Sequence, residues 1–183
     1  MSDARVGRPG RYQRSVGGLV AALVLTVVAV GGLVWLLGLF RSDLEVEREP
    51  VDYLDEIAAL QGAGIEPVYP ATLPGDWVAT SVDTRQGFQL QMLTGDDEFV
   101  GIVQDRAEVS ALLDTFVDED APTTEIITVP ASVIEAWQGY EDEGGDTAYA
   151  ATLGEDTILV YGSASPAELE DLIGRLTTDP VED

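Results

Sequence analysis

Three features of the sequence predict an α+β fold: an antiparallel sheet with helices on one face, preceded by one transmembrane helix. An uncharged, largely apolar run covers residues 15–40. Two stretches, residues 87–105 and 146–162, read as β-hairpins, and each leads into an amphipathic helical pattern. The two hairpin-helix blocks also recur at a nearly constant offset. That predicts an internal duplication of a strand-hairpin-helix unit.

The uncharged run comes first. About 25 residues span roughly 37 Å as a helix, against a hydrocarbon core of about 30 Å. A cleaved leader has a shorter apolar core and ends in small residues, whereas this run ends WLLGLFRSD. The expectation is therefore a retained anchor. Arg5, Arg8, Arg11 and Arg14 precede it with Asp3 as the sole acid, while Arg41 and Arg48 on the far side sit among Asp43, Glu45, Glu47 and Glu49. The positive-inside rule then places the N-terminus in the cytoplasm. The predicted plan is a cytoplasmic basic N-terminus (1–15), a transmembrane anchor (16–40), an acidic stem (41–50) and an extracytoplasmic α+β domain (51–183). The localisation is the cytoplasmic membrane, single-pass, with the C-terminal domain outside.

Within that domain, VDYLDEIAALQGAG predicts a helix with Val51, Leu54, Ile57 and Ala58 on one face, ended by Gly62 or Gly64. In TLPGDWVATS, Pro74 and Gly75 form a turn that feeds Trp77 into a strand as a core residue. GFQLQMLT and EFVGIVQD pair through a turn at Gly95, Asp96 and Asp97; DTAYAATL and TILVYG pair through Gly154, Glu155 and Asp156. The first hairpin leads to AEVSALLDTF, with Val109, Leu112, Leu113 and Phe116 at helical spacing. The second leads to SPAELEDLIGRL, with Leu169, Leu172, Ile173 and Leu176 in the same places. Ser165 as N-cap, Pro166 at N1 and Glu168 at N3 form a capping box. Trp77 and Trp137 are 60 residues apart and Gly95 and Gly154 are 59 apart. These offsets define the expected repeats, residues 67–118 and 126–177.

Composition narrows the chemistry. Setting aside Asp3 and the four N-terminal arginines leaves 33 acids against five arginines in residues 41–183, a net charge of −28. Nucleic acid is excluded as a partner of such a domain. There is no Cys, so no disulfide or lipid-bearing cysteine. The absence of His and Lys as well removes the usual bases and nucleophiles of hydrolases. Missing Lys and Asn also point to a GC-rich genome. The acid clusters Asp96-Asp97-Glu98, Asp118-Glu119-Asp120 and Glu141-Asp142-Glu143 with Asp146 do not fit a calcium-loop pattern. No residue is therefore assigned to a catalytic, cofactor-binding or metal site, and no cofactor is expected.

V-D-Y at residues 51–53, L-P-x-x-W at 73–77, A-T-S at 79–81 and VYG-x-A-S at 160–165, followed by Glu168 and Leu169, carry a family resemblance. The chain resembles actinobacterial single-pass membrane proteins grouped as domain of unknown function 4245. The resemblance implies a membrane-anchored envelope protein and carries over no functional residues. The function expected is a non-catalytic interaction or binding module of the cell envelope, not an enzyme. Its partners would be the membrane and an envelope protein or cell-wall component. The alternatives are a carboxylate-dependent hydrolase of envelope glycans and a cation-responsive domain.

Overall fold

The computed structural model describes residues 50–181. The basic N-terminus, the expected anchor at 16–40 and the stem up to residue 49 lie outside the described residues. Among the described residues no helix is long and apolar enough to cross a membrane.

In chain order the elements are α1 (Tyr53–Gly62), β1 (Tyr69–Pro70), β2 (Val78–Asp83), β3 (Phe88–Leu93), β4 (Phe99–Asp105), α2 (Val109–Phe116), β5 (Thr123–Thr128), β6 (Ala136–Glu141), β7 (Thr147–Leu153), β8 (Asp156–Gly162), α3 (Pro166–Ile173) and β9 (Leu176–Thr177). Both predicted hairpins form, as β3/β4 and β7/β8. Gly154 takes φ +64°, the left-handed conformation a two-residue hairpin turn demands. Seven strands make one antiparallel sheet in the order β2-β3-β4-β8-β7-β6-β5. β1 and β9 form a separate two-stranded ladder. The C-terminal segment is tied to α1, because Gln61 Nε2 donates to the Asp179 carbonyl at 2.9 Å and Gln61 Oε1 accepts from the Val181 N–H at 2.9 Å.

The fold class differs from the expectation. Nine strands stand against helices of 10, 8 and 8 residues among the described residues, so the domain is mostly β. Nor do the helices share one face. Val100, Ile102, Ile158 and Val160 pack with Ile57 of α1 and with Leu169 and Leu172 of α3. The alternate residues Val103, Leu159 and Tyr161 pack on the other face with Leu112 and Leu113 of α2. The signal was present in the unbroken apolar runs of β4 and β8, since a strand covered on one face only alternates apolar with polar residues.

The expected duplication fails for the same reason. A twofold axis relating two strand-hairpin-helix units across the antiparallel β4/β8 pair stands normal to the sheet and keeps both helices on one face. α2 and α3 lie on opposite faces, and β5 has no counterpart beside β2. What the two halves share is strand order, β4-β3-β2 on one side and β8-β7-β6 on the other.

The helix surfaces are otherwise close to the sequence pattern, except that α3 ends at Ile173 and Leu176, expected on the same helix, pairs with Pro70 in the β1/β9 ladder instead. In α1, Ile57 is buried as expected, but Tyr53 takes the place assigned to Ala58, which is exposed. The Tyr53 hydroxyl donates to the Pro70 carbonyl at 2.8 Å, so this face carries an aromatic with its own acceptor. At α3 the capping box is complete: Ser165 Oγ accepts from the Glu168 N–H at 3.4 Å and Glu168 Oε2 from the Ser165 N–H at 3.0 Å. Ser165→Ala is expected to cost about 1 kcal/mol in urea unfolding, with Ser165→Asp restoring most of it.

Candidate interaction surface

A seven-stranded open sheet has two edges, and here they differ. On β2, the Val51 N–H donates to the outward Ala79 carbonyl at 2.9 Å, so the chain entering α1 occupies part of that edge. β5 has no backbone partner on its outer side among the described residues. Five of its six residues are exposed, Ile126 by 66%. An unpaired strand edge presents a row of free N–H and C=O groups to a pairing chain.

The inner side of β5 is firmly held. Ile127 and Val129 pack against the core, and Ile127 lies opposite the fully buried Trp137. Between Thr123 and Ile126 the register shifts, so the chain bulges opposite Gly139. A Cβ on Gly139 would lie 2.3 Å from Thr124 Oγ1 and 2.9 Å from the Glu125 carbonyl, so the glycine makes the bulge possible. Past it the ladder is regular: the Val129 N–H donates to the Glu135 carbonyl at 2.8 Å. Antiparallel alternation from that bond turns the backbone of Ile127 inward and that of Ile126 and Thr128 outward.

The acid clusters take separate places. Asp96, Asp97 and Glu98 form the β3–β4 turn, where Thr94 Oγ1 accepts from the Asp96 and Glu98 N–H groups. Asp118 to Asp120 lie on the α2–β5 loop and Asp142 to Asp146 on the β6–β7 turn. Asp118 and Asp142 cap their own turns, accepting from the Asp120 N–H at 3.1 Å and the Asp146 N–H at 2.8 Å. These two clusters do meet: Asp118, Asp120, Ala121, Pro122 and Glu143 line a groove of about 490 Å³ that opens at the start of β5. The groove does not converge on a metal, since among the described residues no three potential ligands come together.

Acids also flank β5 elsewhere. Burial, with Glu170 and Glu125 beside it, pushes the Tyr149 hydroxyl up to about 12. The described residues carry three arginines, Arg85, Arg106 and Arg175, and residues 107–174 contain no basic side chain at all. β5 therefore lies in a stretch of the chain with acids only.

Two further cavities read as structural. One of about 370 Å³ is lined by Ile65, Phe88, Gln104, Arg106 and Asp156. Its central Gln104 is spent on local bonds, accepting from the Val68 N–H at 2.7 Å and donating to Asp156 Oδ2 at 2.8 Å. The other, about 330 Å³, holds the Asp83–Arg85 ion pair. Hydrogen bonds from the Arg85 side chain and backbone pull the Asp83 carboxyl down to about 2. A general acid needs the opposite displacement. The pair contributes above the ordinary carboxylate range and is lost as pH falls through about 2. Carboxyl NMR titration should find that midpoint in the native protein, and Arg85→Gln should return it to the ordinary range.

Among the described residues, an all-antiparallel sheet with helices on both faces and an acidic edge strand without an outer backbone partner defines a class of small β-rich domain. The chain belongs to the family described as Protein of unknown function (DUF4245), whose model matches residues 11–176. No curated protein and no solved structure matches the chain. Sequence reasoning assigned no site residues, and it did not single out β5. TTEIIT lacks the alternation of a half-buried strand, because edge strands of this kind bury only a minority of their side chains.

Proposed function

We propose that this protein is a non-catalytic interaction module, held at the outer face of an actinobacterial cytoplasmic membrane by the anchor at 16–40, and that it binds an envelope protein. The observation that carries this reading is the β5 edge, held from within by Ile127 and Trp137 while, among the described residues, its other side has no backbone partner. Strand addition draws affinity from the main chain and needs no nucleophile, base or metal. That suits a chain without His, Cys or Lys. A membrane tether raises the effective concentration of such an edge near other membrane components.

The reading is tested by placing a photo-cross-linking residue at Ile126 of the full chain in its host. We expect one discrete adduct there and none from Ala111, an exposed position on α2. Equal adduct patterns from both positions would count against it. A reporter active only outside the cytoplasm, fused to the C-terminus, tests the topology separately.

A further inference from the structure

We propose that β5 accepts an extended basic peptide segment, rich in lysine or arginine, as an eighth strand of the sheet. The inference rests on the interaction-module reading and names its partner. The outward backbone groups of Ile126 and Thr128 supply the pairing sites, and exposed Ile126 offers an apolar contact on one face of the added strand.

The surrounding charge selects the partner. Glu125 sits in the bulge of β5, Glu135 closes the β5/β6 ladder, and the groove at the start of the strand carries Asp118, Asp120 and Glu143. No cation from residues 107–174 offsets them. A basic strand gains attraction at both ends of the edge, whereas an acidic strand meets like charge. A second copy of the chain is disfavoured on the same ground, because pairing two β5 strands sets the same acids against each other. An anionic lipid surface is repelled and offers no backbone to pair.

The test uses the full chain in neutral detergent micelles with a fluorescent peptide of about eight residues alternating lysine and valine. A second peptide carries glutamate in place of each lysine. The lysine peptide is expected to bind at least about tenfold more tightly than the glutamate peptide at low salt, with the difference shrinking towards about 1 M NaCl. Thr128→Pro removes an outward N–H and no ladder bond, and edge strands tolerate proline. It should weaken lysine-peptide binding about tenfold while leaving the melting temperature in place. Combined Asp118→Asn, Asp120→Asn and Glu143→Gln should weaken it about fivefold.

Lysine-peptide binding that is indifferent to Thr128→Pro would overturn the proposal, leaving only unspecific charge attraction. Equal binding of both peptides, lost together in Thr128→Pro, would overturn the basic partner and leave the edge as the docking site. A dimer that Thr128→Pro dissolves would give the edge to a second copy instead. Failure of the lysine peptide to bind would overturn the inference, while the Ile126 cross-link continues to test the reading beneath it.

Discussion

Trp137→Ala should destabilise the domain by about 3 to 5 kcal/mol in urea unfolding followed by circular dichroism. Trp137 is fully buried on the face covered by α1 and α3, and its Nε1–H donates to the Ile134 carbonyl at 2.8 Å. Truncation removes a large apolar area, leaves a cavity between β6 and the helices, and strands that carbonyl. The loss also reaches the edge. Ile127 lies opposite Trp137, so β5 should be the first strand to lose amide protection in the variant, ahead of β4 and β8. Uniform loss across the sheet would mean that β5 is held by something other than this contact.

Gly162→Ala is expected to be comparably damaging, about 3 kcal/mol, because nothing near it can yield. The added Cβ would lie 2.1 Å from the Phe99 carbonyl oxygen and 2.9 Å from the Val100 Cα. Both are backbone atoms of the neighbouring strand, so the β4/β8 pair must part at that end. The Ser163 N–H bond to the Phe99 carbonyl, 3.0 Å, goes with it. Gly62→Ala is the control, since a Cβ there meets nothing within 4 Å, and it should leave the melting temperature nearly unchanged. A stable Gly162→Ala protein would show that the central strand pair can be displaced without cost.

Local structure was legible where short-range chemistry decides it. Gly95 and Gly154 between apolar runs specified both hairpins, and Ser165, Pro166 and Glu168 specified the start of α3. The faces of α2 and α3 followed from leucines at helical spacing, because a helix buries one stripe whichever way it is approached. Which side of the sheet each helix takes is a different matter. Leu112 and Leu113 look like Leu172 and Ile173, and only the double-sided burial of β4 and β8 separates them. The run of Val100, Ile102 and Val103 beside Ile158, Leu159 and Val160 held that information, although it belongs to the strands. β5 escaped notice because five of its six residues are exposed, which leaves no apolar alternation to read. Its signature lies in Gly139 on the neighbouring strand, which admits the bulge.

Asp83 is held ionised by Arg85, and Asp118 and Asp142 spend their carboxylates on their own turns. Carboxylate catalysis would need one acid kept protonated opposite a second across a cleft. Burial displaces the Tyr149 and Tyr161 hydroxyls upward to about 12, which keeps them neutral within the packing.

The account stands or falls on the outer side of β5, and one measurement addresses it directly: the yield of the Ile126 cross-link in intact cells, compared between the native chain and Thr128→Pro. The outward N–H of Thr128 is the feature removed, and the fold, the charge and the N-terminal residues are retained. The account predicts a fall of about tenfold in adduct at equal protein level and unchanged melting temperature. An undiminished yield would contradict it, because the partner would then be reaching Ile126 without pairing to the strand.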